Sequence, residues 1–272
     1  MDVSLPPDLQ QLRECILPVG RFLLRELGAI EQIDYKSATD MVTDIDRRAE
    51  EQLLTALTAS YPDDGLVAEE GSDRTGISGR TWLVDPLDGT TNFVHGYPFF
   101  AVSLGCADRE RLWLGAVYAP YLDELYLAAA DQGAYLERPA VGSRMRLPQR
   151  QPVALDKALL ATGFPYIRDE VVARNTEYVR RFLQAPCHGV RRGGSAAIDL
   201  CHVAAGKLDG YWEMKLRPWD CAAGTLLARE AGAVVTDFQG RAGLLSGASV
   251  VAAAPGLHQT MLEMLALSGE ES

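Results

Sequence analysis

The stretch Trp82-Leu83-Val84-Asp85-Pro86-Leu87-Asp88-Gly89-Thr90-Thr91-Asn92-Phe93 constrains the fold more than any other. Trp82, Leu83 and Val84 are apolar and favour extended backbone, so the stretch opens as a buried strand. Asp85 falls where that strand leaves the core. Pro86 fixes its own φ and has no N–H, which predicts that the ladder stops there. Asp88-Gly89-Thr90-Thr91 reads as a tight turn entering a helix, with Gly89 free to take a conformation other residues resist. Two carboxylates on one stiff turn repel unless positive charge lies between them. A hard divalent cation with oxygen ligands, Mg²⁺ or Mn²⁺, is the simplest solution. The N–H groups of Gly89 and Thr90, at a helix start, suit an anion beside it. Asp-Pro and Asp-Gly are also common turn pairs, so alone the motif is more often a plain turn. The rest of the chain decides.

The chain has 272 residues, enough for one large domain or two lobes sharing a core. Charges interrupt every apolar run, so none has the length of a membrane span. Met1 to Pro7 lacks the basic start and apolar core of a signal peptide, and a cytoplasmic location is the expectation. The net charge of −11 argues against a nucleic-acid binder, which needs a basic face. It also opposes an anionic substrate, unless bound divalent cations reverse the local potential. Five scattered cysteines without a C-x-x-C pair read as small core residues, not as a disulfide framework or zinc site. The four histidines are equally scattered and read as structural or surface groups.

Residues 8–28 carry Leu9, Leu12, Ile16, Val19, Leu23 and Leu27 at helical spacing, with a kink or break expected at Pro18. Thr43 and Asp46 fit a capping box opening a helix to about Tyr61, which gives Asp46 a structural role as it stands. Leu66-Val67-Ala68 predicts a short strand ending in Glu69-Glu70, with one carboxylate turned inward because adjacent strand residues face opposite ways. Ser72 to Arg80 reads as a mobile, Gly-rich loop. Phe99–Ala107, Leu112–Tyr118 and Glu124–Ala129 predict an antiparallel meander, and Gly133–Leu136 can extend it. The pattern weakens over 138–152, which places a boundary between an N-terminal lobe (1–148) and a C-terminal α/β lobe (149–272). That second lobe alternates strands at 159–163, 210–213, 233–236 and 250–253 with helices over about 170–184, 196–206, 218–231 and 256–267. Gly193-Gly194-Ser195 opens one of these helices as a second anion or hydroxyl cradle, with Ser195 a good N-cap.

Glu69-Glu70, Asp85-Pro86-Leu87-Asp88-Gly89-Thr90-Thr91-Asn92-Phe93 and Trp219-Asp220-Cys221-Ala222-Ala223-Gly224 occur in one chain, in that order. Together they resemble the two signatures of the inositol monophosphatase family, W-x-[VI]-D-P-[LI]-D-G-T-x-N-F and W-D-x-A-A-G. That family sits within the Mg²⁺-dependent, lithium-sensitive phosphatases. Lys36, Glu213 and Ala231-Gly232 support the match over almost the whole chain. The resemblance implies a layered αβαβα sandwich, usually a homodimer. It implies Mg²⁺ ligands at Glu69, Asp85, Asp88, Asp220 and the carbonyl of Leu87, for two or three ions. Glu69 and Thr90 would hold and activate the attacking water, with Asp46 supporting them. Gly89 and Thr90 amides would hold phosphate; Arg191, Ser195, Ala196, Glu213 and Asp220 would meet substrate, which Asp88 also faces. One departure stands out: the family usually has Gly where this chain has Ala68, so a methyl group could shift Glu69.

The implied reaction is hydrolysis of myo-inositol monophosphate, or a similar polyol phosphate monoester, by metal-activated water, with no covalent phosphoenzyme. Phosphatases of 3′-phosphoadenosine 5′-phosphate or fructose 1,6-bisphosphate share the D-P-[LI]-D-G core and are the nearest alternative. Thr91-Asn92-Phe93-Val94-His95-Gly96 and Gly210-Tyr211-Trp212-Glu213 resemble the inositol branch more closely. Bacterial members also associate with transcription machinery, which leaves a protein partner as a reading of a different class. No membrane association is expected.

Overall fold

The structure, a computed structural model, describes residues 3–29, 33–37, 40–165, 170–243 and 249–266. In chain order these form α1 (Pro7–Glu26), the hairpin β1 (Ile33–Ser37) and β2 (Asp40–Thr43), α2 (Asp44–Ser60), β3 (Gly65–Ala68), β4 (Thr81–Asp88) and α3 (Thr90–Val94). β5 (Ala101–Ala107), β6 (Leu112–Ala119), β7 (Glu124–Ala129), β8 (Gly133–Arg138) and β9 (Ser143–Arg146) follow. Then come β10 (Leu159–Thr162), α4 (Val171–Gln184), β11 (Gly189–Arg191), α5 (Ala196–Ala205), β12 (Gly210–Met214), α6 (Pro218–Glu230), β13 (Val234–Thr236), β14 (Ser249–Ala253) and α7 (His258–Leu265). Among the described residues no helix is long and apolar enough to cross a membrane.

Five layers result. α1 and α2 cover one face of a seven-stranded sheet ordered β3 to β9; α5 and α6 lie between that sheet and a five-stranded one; α4 and α7 cover its far side. Three apolar cores fill the interfaces: the first holds Trp82 and Phe93, the second spans both sides of α5 and α6 and holds Tyr126 and Tyr211, and the third holds Phe182 stacked on Trp212. The layered αβαβα expectation therefore matches the architecture. The first sheet is antiparallel except for the β3–β4 pair, which brings the C-terminal ends of β3 and β4 to one edge. The second sheet is mixed: β10 runs parallel to β11 and β12, while β14 runs antiparallel to β12 and β13.

Four expectations are corrected. Pro86 does not end its strand: pairing of β4 with β5 passes from Asp85↔Ser103 to Asp88↔Ala101 across a bulge. A bulge absorbs the extra residue and the missing N–H together, and it re-aims the two aspartates. α1 continues through Pro18, where Leu17 and Val19 on either side are buried in the first core and hold the segment helical. Residues 138–152 contain the edge strand β9, whose exposed, arginine-rich sequence hides its pattern. Ser72 to Arg80 folds back on the chain before it: Arg74 pairs with Leu66, and the N–H groups of Ile77 and Ser78 both reach Asp63 O. Residue 267, placed in the last helix by its sequence pattern, lies outside the described residues, as does the side chain of Lys36.

Candidate active site

The acids singled out by sequence come together at one narrow cleft of about 70 Å³. Glu69 extends just past β3, Asp85 and Asp88 sit in the β4 bulge, and Asp220 occupies the first turn of α6; all four line the cleft, as do Leu87, Gly89, Thr90, Ala196 and Glu213. Glu70 points away, toward α2, where its N–H is held by the buried carboxylate of Glu50 at 2.9 Å. The strand alternation thus sorts the two glutamates. The methyl group of Ala68 is buried in the first core, away from the cleft, so the departure from glycine leaves Glu69 room.

Gly89 has φ +92°, and a side chain there would come within 3.0 Å of Phe99 O and 3.2 Å of Gly194 O. Only glycine fits that turn without strain. Thr90 Oγ1 lies 3.0 Å from Asp46 Oδ1 and 3.0 Å from Leu87 O, so its single proton can serve either acceptor. Asp46 also closes the capping box with Thr43, whose N–H it accepts at 2.8 Å. It does not itself line the cleft; it touches it only through Thr90. Asp88 Oδ2 accepts the Ser195 hydroxyl at 2.6 Å and the Ala197 N–H at 2.8 Å, which docks the β4 bulge on the start of α5. Asp85 Oδ1 accepts the Leu87 N–H at 2.9 Å, and Asp220 Oδ2 the Arg217 N–H at 2.6 Å.

These acids destabilise one another's charge. Burial pushes Asp85 well above the usual carboxylate range, and Glu69, Asp88 and Asp220 push it further. Burial raises Asp88 to about 6 against the pull of its Ser195 and Ala197 hydrogen bonds. Asp220 is driven well up by burial and by Asp88 and Glu69, and Asp46 more moderately, by burial. Glu213, hydrogen-bonded by Tyr211, is raised to about 7, chiefly by burial. Among the described residues, Arg192 is the one basic residue on the cleft wall, against five acids. Among the described residues, no three His, Cys, Asp or Glu side chains are already drawn together as a metal cage. The oxygen-only donor set with unrelieved negative charge nevertheless suits a hard divalent cation.

Arg191 is corrected: its guanidinium lies out on the surface, 3.4 Å from Val190 O, and does not line the cleft. Arg192 does, and it stands over the Phe164 ring at 5.6 Å. β11 ends at Arg191, so consecutive arginines face opposite ways. Two further contributors carry no chemical signature in the sequence. Gly163 backs Glu213 so closely that any Cβ would overlap its carboxyl group. Asn92 donates to Phe99 O at 2.6 Å and Gly193 O at 3.0 Å, with Gly194 O at 3.3 Å, and clamps that loop to the β4 turn. Its place inside the motif was its only signal. None of the histidines or cysteines lines the cleft.

A layered α/β sandwich with an acid-lined cleft where two sheets and two helix starts meet defines a class of protein suited to holding a divalent cation beside an anionic ligand. Known proteins narrow it. The profile of the inositol monophosphatase family matches residues 9–270, and the chain belongs to that family. It is 39% identical over 268 residues to an inositol-1-monophosphatase of Synechocystis, covering 96% of this chain and 91% of that one. It is 38% identical over 260 residues to the Nus factor SuhB of Vibrio cholerae, covering 93% of each. Among solved structures, the extragenic suppressor protein SuhB of Bartonella henselae superposes with a TM-score of 0.88 at 33% identity, over 96% of this chain and 98% of that one. The Thermotoga maritima IMPase does so with a TM-score of 0.85 at 29% identity, over 96% and 97%.

Proposed function

We propose that this protein is a Mg²⁺-dependent phosphatase of myo-inositol monophosphate or a closely similar polyol phosphate monoester. The observation that carries this reading is the convergence of Glu69, Asp85, Asp88 and Asp220, from three separate parts of the chain, on one cleft that also contains Thr90 and Glu213. Glu69, Asp85, Asp88, Asp220 and the Leu87 carbonyl would hold Mg²⁺, with Mn²⁺ as a substitute. Bound there, the metal would supply positive charge to the phosphoryl oxygens and acidity to a bound water. Thr90, with its proton directed to Asp46 or Leu87 O, offers its oxygen lone pair to orient that water. Glu69 takes the water's proton. The Gly89 and Thr90 amides face phosphate, and Arg192 adds a positive side chain to the wall. Glu213 accepts hydroxyl protons from the polyol, held in place by Tyr211 and the bare backbone of Gly163. Ser195 acts by fixing Asp88, and Ala196 forms the wall beside it. The two lobes (1–148 and 149–272) would contribute opposite sides of the cleft, and a homodimer is part of this reading.

A second reading rests on the relatives named Nus factor. It gives the chain a protein partner in the transcription machinery, with or without catalysis. Phosphate release from inositol 1-phosphate by metal-stripped protein, with and without Mg²⁺, tests the first reading. 3′-Phosphoadenosine 5′-phosphate and fructose 1,6-bisphosphate are run beside it. Strong Mg²⁺-dependent release from inositol 1-phosphate alone supports it. Release only from another ester moves the substrate, and no release from any ester by folded protein refutes catalysis.

A further inference from the structure

The strand end beside Glu213 carries a phenyl ring to which the phosphatase reading gives no task. β10 stops at Thr162, and the next carbonyl, Gly163 O, is fixed by the Asn175 side-chain amide at 3.1 Å. Phe164 follows directly. It lines the cleft, is 47% exposed, and is packed into none of the three apolar cores. Its ring meets Arg192, whose guanidinium carbon stands 5.6 Å from the ring centroid. A guanidinium over an aromatic face is attracted by the ring quadrupole.

A second contact limits Arg192. Gly194 has φ +91°, and a Cβ there would come within 2.6 Å of Arg192 Nη1, so the guanidinium rests against bare backbone. Arg192 is exposed, and among the described residues its guanidinium makes no hydrogen bond and no ion pair. Acids are nevertheless within its field. Burial is what raises both Glu213 and Asp199, and the Arg192 charge opposes that rise in each. An arginine facing carboxylates gains most by bonding one of them, and this one does not.

We infer that Phe164 is a positioning residue: its ring, with the bare backbone of Gly194, keeps the Arg192 guanidinium unpaired on the cleft wall, with its N–H groups open to an anionic oxygen of a bound phosphate monoester. The inference rests on the phosphatase reading for what Arg192 receives, and not for how Arg192 is held.

Two measurements test these separately. Magnetic resonance of the full chain, labelled with isotopic arginine and free of metal and ester, reports the contact itself. The Cδ protons of Arg192, assigned by their loss in Arg192→Ala, should carry a ring-current shift in wild type and Phe164→Tyr and lose it in Phe164→Leu. An unshifted wild-type resonance, or one unchanged in Phe164→Leu, overturns the proposal. Phosphate release from inositol 1-phosphate with Mg²⁺ reads the consequence. Phe164→Leu should raise KM about threefold with kcat unchanged, while Phe164→Tyr keeps the wild-type KM. In an Arg192→Ala background Phe164→Leu should add nothing further, because the partner it acts through is gone. An equal rise in KM without Arg192 would mean that the ring acts on the ester itself. A fall in kcat with KM unchanged would mean a purely structural role. Either result overturns the proposal. No release by folded wild type would refute the phosphatase reading, and the resonance alone would then decide whether Phe164 holds Arg192.

Discussion

Asp88→Asn separates the two things Asp88 does. Its Oδ2 docks the β4 bulge on α5 by accepting from Ser195 Oγ and Ala197 N. An asparagine can keep both contacts with its amide oxygen, turning its NH₂ group toward the cleft. There it presents donors to Glu69 and Asp85, where a cation needs lone pairs. In metal-free protein the change should relieve strain. Asp88 is held at about 6 against an ordinary 3.8, which corresponds to about 3 kcal/mol lost on ionisation at pH 7. The folded state binds this proton more tightly than the unfolded state does. Stability therefore falls as pH rises from 3.8 to about 6 and stays low above, and the variant lacks that slope. Three outcomes are expected together. The metal-free variant melts at or above the wild-type temperature at pH 7. Added Mg²⁺ raises its melting temperature less than it raises the wild type's. Its turnover falls by about 10³-fold or more, about 4 kcal/mol of barrier. Calorimetric melts with and without Mg²⁺, beside phosphate-release rates, test all three. Near-wild-type turnover, or an undiminished Mg²⁺ stabilisation, would refute Asp88 as a metal ligand; a variant that melts lower without metal would refute the repulsion argument.

Glu213, raised to about 7, loses its acceptor role as pH falls through that value, so the wild-type KM for a polyol phosphate should climb below about pH 7. Glu213→Gln should flatten that dependence and alter sugar preference; an unchanged KM profile removes Glu213 from specificity. Arg192→Ala should raise KM by roughly tenfold, since a cation is lost from the wall, while Arg191→Ala stays within about twofold. Equal effects in the two variants would contradict the placement of the pair. Asn92→Ala leaves buried carbonyls unpaired and should lower unfolding stability by about 2 kcal/mol, with a fall in kcat as the Gly89 turn loosens. A denaturant titration showing wild-type stability would remove the clamp from the account.

Local patterns made most elements legible, and tertiary geometry hid the rest. The capping box at Thr43 and Asp46 is visible as a spacing, and the structure forms it; the same Asp46 reaching Thr90 is a contact between residues 44 positions apart and has no local trace. Pro86 shows the limit of a residue rule. A missing N–H ends a regular ladder, but a bulge needs one fewer bond, and the strand resumes at Asp88. The arginine pair was legible as charge and not as direction, because the strand ends between its members. Gly163 was legible only as the last residue of a strand, although its bare backbone is what admits the Glu213 carboxyl group. The Ser72–Arg80 loop looked mobile from composition, yet Asp63 and Asp64 tie it down through backbone and side chain.

The placement of the acids explains how a chain of net charge −11 tolerates gathering five of them at one spot. Asp88 lies on the N–H groups that open α5, and Asp220 sits in the first turn of α6, so two helix N-termini are directed at the cleft. Each N-terminus favours a neighbouring negative charge by typically 0.3–1 kcal/mol, and somewhat more where partly buried. That is smaller than the roughly 3 kcal/mol that ionising Asp88 alone costs. Helix dipoles and hydrogen bonds therefore reduce the repulsion without removing it, and among the described residues only Arg192 stands as a counter-charge on the wall. The fold holds open a site whose strain is released by a ligand that is small, hard and multiply positive. On the phosphatase reading the same strain would give a bound cation its role, because a metal held by the acids would also face the place where a phosphate has to be accepted into an acidic protein.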